Sequence, residues 1–271
     1  MIRLCRFFNW TRQGFYKDEK RSEEMILEEM IVVELVLAQR RRHKRMGARK
    51  LYSLLQSDLS KLSVGIGRDK FFDLLRTNDL LVKRRRKYAV TTQSYHWFRV
   101  YENLLTDFVP QNVHEVWVCD ITYIRVEKGF VYLFLITDAY SRKIVGWELS
   151  DSLAVGGALS ALKMALKQCN KPDGLIHHSD RGFQYCCYDY VGILKSNGIR
   201  ISMAEAGNCY QNAMAERVNG ILKDEYGLDE TFREYGEARR AVKEAIGNYN
   251  EYRPHWSLGL KTPASVHIEA G

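Results

Sequence analysis

Three runs rich in β-branched and aromatic residues lie almost end to end in this chain: Val116 to Val126, Gly129 to Thr137 and Lys143 to Leu149. The gaps between them, around Glu127 to Gly129 and Ala139 to Arg142, hold only turn-length segments, so the spacing predicts an antiparallel meander. Beyond Leu149 the chain alternates. An alanine-rich helix near Ala154 to Cys169 precedes a short strand (Leu175 to His178), a helix (Tyr188 to Asn197) and a strand (Arg200 to Met203). Helices near Asn212 to Tyr226 and Phe232 to Tyr252 complete the series. The order β-β-β-α-β-α-β-α predicts a mixed α/β domain whose later strands pair in parallel through helical crossovers.

The first hundred residues read differently. After an aromatic and basic stretch, Leu4 to Lys17, the segment Glu23 to Ala38 places Met25, Ile26, Met30, Val33 and Leu37 at helical spacing among glutamates. It runs into Arg40 to Arg45, whose charge suits either a solvated, dipole-matched helix end or a phosphate-facing strip. Helices at Ala48 to Ser57 and Arg68 to Arg76, joined through Val64-Gly65-Ile66-Gly67, form a helix-turn-helix candidate or a plain helical hairpin. The second would bury Phe71, Leu74 and Leu75 and present Arg68, Lys70 and Arg76, as a recognition helix does. Lys83, Arg84, Arg85, Arg86 and Lys87 come next, a like-charge run that phosphates would neutralise and that an exposed linker would also tolerate. The expected organisation is a helical segment at 1–46, a helix-turn-helix-like DNA-binding region with its basic linker at 47–100, and the α/β domain at 110–271.

Charge supports that division. The 271 residues carry +8 overall, but residues 1–100 hold 23 Lys+Arg against 11 Asp+Glu, and residues 101–271 hold 18 against 22. A basic amino-terminal part and an acidic remainder fit a polyanionic partner for the first and another task for the second. Composition, with 46% hydrophobic and 27% charged residues and only four prolines, is that of an ordinary globular protein. No apolar run reaches the ~20 residues of a membrane span and no signal-type stretch comes after Met1, so the expected address is the cytoplasm. The six cysteines include no C-x-x-C pair and read as reduced thiols.

Phosphate-binding glycine motifs, H-E-x-x-H and G-x-S-x-G are all absent, which removes the usual entry points to nucleotide-fold, zincin and serine-hydrolase readings. His177 and His178 beside Cys186 and Cys187 fit no familiar four-ligand zinc spacing. Asp138 is a fourth acid expected to pair with Arg142. Three carboxylates stand out: Asp120 inside the first strand, Asp180 ending the short strand, and Glu216 on a helix. Singly each could be a salt-bridge or capping residue. Brought together, they would repel unless a divalent cation compensated, and an all-oxygen donor set favours Mg²⁺ or Mn²⁺ over Zn²⁺.

Fifty-nine residues separate Asp120 from Asp180 and thirty-five separate Asp180 from Glu216, a spacing similar to the D-D-35-E pattern of retroviral-type integrase cores. The surrounding words are His178-Ser179-Asp180-Arg181-Gly182-Phe183-Gln184-Tyr185, Gln211-Asn212-Ala213-Met214-Ala215-Glu216, Lys223, and Tyr249-Asn250 with Arg253-Pro254-His255. Together they resemble the second-frame (OrfB) subunit of bacterial insertion-sequence transposases of the IS-three family. Gln211 stands where that family often has aspartate. The resemblance implies an RNase H-like fold, and two Mg²⁺ ions, replaceable by Mn²⁺, on Asp120, Asp180 and Glu216. It also implies DNA strand cleavage and transfer with a 3′-hydroxyl nucleophile and no covalent enzyme intermediate. It further implies transposon-end and target DNA as partners, a homo-oligomer on DNA, and an upstream-frame helix-turn-helix subunit or fusion. Lys223 returns to within about 20° of the Glu216 face, and with Asn212, four residues before Glu216, and Gln184 it is expected to touch DNA. A solvated helix lysine is the plain alternative for Lys223. A non-catalytic regulator occupying element ends and a structure-directed nuclease of the same fold are the rival functions.

Overall fold

The computed structural model describes residues 7, 11–82, 97–106, 108–170, 172–205 and 212–271. They fall into two compact units, Met1–Arg84 and Arg85–Gly271. The basic run Lys83 to Lys87 lies outside the described residues.

The first unit is helical. Thr11 caps α1 (Arg12–Arg42) by accepting from Gly14 N, and Arg40, Arg41 and Arg42 occupy its last turn, where cations meet the negative end of the helix dipole. α1 is longer than the periodic segment Glu23 to Ala38 suggested, and Val32 and Val36 are the residues it buries, while Met25, Ile26, Met30 and Leu37 stay exposed. Helices α2 (Ala48–Lys61) and α3 (Arg68–Thr77) come next. Leu51, Leu55 and Leu59 of α2 meet Phe71, Leu74 and Leu75 of α3 over Val32 and Val36 of α1, so all three helices share one core. The Arg40 guanidinium donates to Met46 O at 2.7 Å and Leu80 O at 3.1 Å, closing the unit with a buried-edge cation.

The second unit is built on a mixed sheet. Strands β1 (Val116–Val126), β2 (Gly129–Asp138) and β3 (Ile144–Ser150) form the expected antiparallel meander. Helix α4 (Val155–Leu166) leads to β4 (Ile176–Ser179), which pairs parallel with β1. The short α5 (Phe183–Cys186) and α6 (Tyr188–Ser196) lead to β5 (Arg200–Met203), parallel to β4. The strand order is β3-β2-β1-β4-β5. Helix α7 (Ala213–Tyr226), the two-residue β6 (Thr231–Phe232) beside β1, α8 (Tyr235–Tyr252) and α9 (Pro263–Ala270) complete it.

Alternation along the strands sends side chains to two cores. On one face Trp117, Cys119, Phe134, Ile136 and Val145 pack with α4 and α6 through Ala158, Leu162, Tyr190 and Leu194. α4 rides close because Gly157 lacks a Cβ, which would sit 2.3 Å from the Phe134 ring. On the other face Ile124, Leu133, Leu135 and Ile144 pack against α7 and α8 through Val218, Leu222, Val242 and Ile246. Gly227, at φ 78°, ends α7 in the left-handed conformation that a side chain disfavours.

Candidate active site

Asp120 lies mid-strand on the face toward α7. In the β1–β4 ladder Val118 stands opposite His178; Asp120 and Asp180 each follow two residues later in the chain, and the Asp180 charge reaches Asp120. Asp180 sits just beyond the end of β4, and its Oδ1 accepts from Gly182 N at 3.0 Å. Glu216 is exposed in the first turn of α7. The helix is tied to β1 at two points. Asn212 Nδ2 donates to Cys119 O at 3.1 Å, and Asn219 Nδ2 donates to Asp120 Oδ2 at 2.7 Å.

The electrostatics are those of gathered like charge. Burial, then Asp180, pushes the Asp120 carboxyl up to about 7; Glu216 adds to the rise, and hydrogen bonds from Asn219 and Ile121 N oppose it. Neither Asp120 nor Glu216 forms an ion pair with a lysine, arginine or histidine among the described residues. Nor do three acids close to metal-holding distance there. The donor set fits a hard divalent cation in chemistry and charge: three carboxylates, with the field of two reaching Asp120. Glu216 stands on an exposed turn of the helix. The buried amide oxygens of Asn212 and Asn219 find no hydrogen-bond partner among the described residues.

Lys223 is half-buried, and burial lowers its pKa while Asp120 draws it up, which puts the ammonium within the field of the site. Gln184 and Asn212, expected to touch DNA, are both buried. Gln184 Nε2 donates to Leu153 O at 2.9 Å and Asn212 to Cys119 O, so both amides hold the scaffold. The expected Asp138–Arg142 ion pair does not form. Asp138 is fully buried and accepts from Ser141 N, Ser141 Oγ and His114 N, each at 2.7 Å, which satisfies it without a cation. His177, which the sequence placed near two cysteines, contacts Cys119 Sγ at 2.9 Å and Tyr190 OH at 2.8 Å; burial drives its pKa down to about 3, so it is a neutral core group.

Asn219 was not singled out from the sequence. Its signal was position: three residues after Glu216, one turn along the same face. The Tyr249-Asn250-Arg253-His255 motif serves the frame. Asn250 exchanges two hydrogen bonds with the Ile144 backbone, at 2.9 and 3.0 Å. Arg253, almost fully buried, donates to both oxygens of Glu225 on α7, at 2.9 and 2.7 Å, and to His255.

The integrase core domain family matches residues 110–209 and, in a second segment, 197–263. The chain is 36% identical over 266 residues to the insertion element IS600 uncharacterized 31 kDa protein of Shigella sonnei, covering 97% of this chain and 96% of that one. It belongs to the IS3 family of insertion-sequence transposases. Transposase InsF for insertion sequence IS3A of Escherichia coli K12 is 38% identical over 189 residues, 69% of this chain and 66% of that protein. The HTLV-2 integrase catalytic core domain in complex with magnesium superposes with a TM-score of 0.47 at 18% identity, covering 58% of this chain and 98% of that one. The transposase has an integrase core that follows an amino-terminal helical region in the sequence, and it is a DDE-type polynucleotidyl transferase of DNA transposition and integration.

In the helical unit, α3 presents its cations as expected, each beside a carboxylate. Arg68 pairs with Asp69 at 2.9 Å, Lys70 with Glu29 of α1 at 3.4 Å, and Arg76 with Asp73. All three stay exposed, so phosphate could compete for them.

Proposed function

We propose that Asp120, Asp180 and Glu216 are the catalytic acids of the transposase and together hold two Mg²⁺ ions, with Mn²⁺ as a working substitute. Bound there, the cations would supply a lowered pKa for the attacking water or 3′-hydroxyl and charge neutralisation at the leaving oxygen. The observation that carries this reading is the Asp120 carboxyl, lifted to about 7 by burial and by the two other acids. A fold keeps so costly a group where its charge has a use.

The chain's own residues do the rest. Asn219 fixes one oxygen of Asp120 and leaves the carboxylate oriented toward α7. Gly182 N holds Oδ1 of Asp180. Lys223 sets a positive charge beside the acids, where it would take a DNA phosphate at the cleaved end and keep the strand in line with the nucleophile. Arg68, Lys70 and Arg76, with the run Lys83 to Lys87, hold duplex DNA through its backbone. The protein works in the cytoplasm on transposon ends and target DNA as a homo-oligomer, with an upstream-frame helix-turn-helix partner or fusion supplying further end recognition. Among the described residues no helix is long and apolar enough to cross a membrane.

The test is nicking and strand transfer on labelled DNA carrying the element's own ends, in Mg²⁺, Mn²⁺ or chelator, for the wild type and Glu216→Gln. Joined products that need metal and vanish in the variant are the expected result. Metal-independent products, or an equally active variant, would overturn the assignment. Cutting without joining would make the protein a nuclease of the same fold.

A further inference from the structure

Arg142 stands where an arginine is disfavoured twice over. It lies in the turn between β2 and β3 at φ 65°, a left-handed conformation that side chains rarely adopt. The turn is fastened around it: Arg142 N donates to Asp138 O at 2.9 Å, and Tyr249 OH of α8 donates to Arg142 O at 3.0 Å. The side chain is half-buried, and burial lowers its pKa. Asp138 opposes that shift through its field, but its oxygens are taken by Ser141 and His114 N. Among the described residues the guanidinium forms no ion pair, and its one hydrogen bond goes to the thioether of Met214, a weak acceptor. Its other N–H groups have no protein acceptor there and are not sealed from solvent.

Met214 brings Arg142 to the helix that carries Glu216. Arg217 follows Met214 by three residues, so the two are neighbours on one side of α7, and Arg217 stands about 100° around the helix from Glu216. Arg217 is exposed and forms no ion pair among the described residues. The charges of Arg142 and Arg217 both reach Tyr249, which holds the turn. A third arginine near Tyr249, Arg253, is committed to Glu225, so two cations there remain uncommitted. Between Glu216 and Arg217 the surface of α7 carries Gly220 and Ala213, about 40° and 60° from Glu216. A Cβ at Gly220 would meet nothing within 4 Å, so this sector is open to a close approach. Asp224 bounds it about 12 Å further along the helix, and Lys223 lies about 20° to the other side of Glu216.

We propose that Arg142 and Arg217 form a phosphate clamp, together binding one backbone phosphate of the DNA strand whose scissile bond lies at the acids. The proposal rests on the reading of Asp120, Asp180 and Glu216 as the catalytic acids. Guanidinium groups meet phosphate oxygens through paired hydrogen bonds, and that contact supplies Arg142 with the anion that the fold withholds. Backbone strain at a residue with such a side chain marks a position kept for use. With Lys223 on one side of Glu216 and the clamp on the other, the strand is held at two points, and the small residues between them let its backbone lie close to α7.

The full chain is titrated in chelator with a fluorescent duplex carrying the element's own end, over a salt series. Arg142→Gln and Arg217→Gln should each weaken binding several-fold, and the double variant at least about 10-fold, with the slope of log affinity against log salt reduced by about one, the value for one phosphate. Duplexes with single phosphates replaced by neutral methylphosphonate then locate the contact. At one or two positions within about five nucleotides of the cleaved bond, half a turn of duplex, the replacement should weaken the wild type several-fold and leave the double variant unaffected. Arg217→Lys should keep most of the affinity. No such position, or one a full turn or more away, overturns the proposal, as do variants that bind like the wild type at every salt. Melting temperatures guard against a structural effect: if Arg142→Gln unfolds early, the exposed Arg217→Gln carries the scan alone, and affinity lost only in step with stability in both variants would make the arginines part of the frame. Because chelator keeps metal out, a failed scan speaks against the clamp alone, whereas active amide variants of the acids speak against the metal site.

Discussion

In the helical unit each cation of α3 has a carboxylate beside it, whereas in the catalytic unit Asp120 and Glu216 form no ion pair among the described residues, and Asp120 is held among acids. The first arrangement is nearly free of cost. Exposed pairs contribute about 0–1 kcal/mol and can be exchanged for phosphate without leaving a charge stranded. The second is costly, because charges in a poorly solvated place repel strongly. Arg253 shows that the catalytic unit can neutralise a buried charge when only the fold is served, since both its Glu225 contacts are direct. The contrast therefore separates charge paired inside the fold, charge paired at an exposed surface, and charge crowded by like charge.

The sharpest way to break this comparison is to neutralise the acids one at a time. Asp120→Asn, Asp180→Asn and Glu216→Gln should each lower strand cleavage at least about 10³-fold, the equivalent of several kcal/mol of transition-state stabilisation, with DNA band shifts intact. A variant that cleaves within tenfold of wild type would remove that acid from the site.

Structural pairs should behave in the opposite way. Arg253→Met leaves Glu225 without its partner in a half-buried place and should destabilise the protein by about 3–5 kcal/mol in denaturant titration. Lys70→Met, which breaks only the exposed contact to Glu29, should change stability by less than about 1 kcal/mol. Equal losses would erase the distinction between the two units.

A pH series sharpens the point further. The folded Asp120 carboxyl titrates near 7 against an ordinary value of 3.8, so the fold binds that proton more tightly than the unfolded chain does. Stability is greatest below about pH 4 on this account and is lost as pH rises through 7. In chelator the melting temperature should fall between pH 5 and 8, by the equivalent of about 2 kcal/mol after allowance for the solvent that reaches the carboxylate. Asp120→Asn should flatten the slope, and Mg²⁺ should raise the wild-type melting temperature at pH 8. A flat wild-type profile would show that the acids do not burden the fold.

The smallest effect belongs to the surface. Arg76→Ala should weaken DNA binding several-fold for any sequence and reduce the slope of log affinity against log salt by about one, with catalysis on bound DNA unaltered. An unchanged salt slope would place α3 away from the backbone.

How much of this was legible in the sequence depends on whether the signal is local. The meander was, because β-branched alternation and short gaps are written along the chain; β1 and β5 run over the residues expected. Asp120, Asp180 and Glu216 were legible as a spacing, but their neighbourhood was not. That the Asp138 carboxyl turns to Ser141 and His114 N instead of Arg142 depends on a turn bringing 114 and 138 together. Gln184 and Asn212 stand out in the sequence because one closely follows Asp180 and the other, four residues before Glu216, shares its helix face. Their burial is explained by unmet backbone carbonyls, Leu153 O and Cys119 O, on distant elements. The short β6 and helices α5 and α9 escaped notice because they are too brief for periodicity to show.

The bond from Asn219 to Asp120 acts as a gauge. Strand β1 is fixed by ladders on both sides, and Glu216 rides on a helix one turn from that amide. The length of one short side chain therefore sets how far the third acid stands from the first. Glutamine there would lengthen the gauge by a methylene, and the turn of α7 that carries Glu216 would have to stand off from β1 to keep the bond.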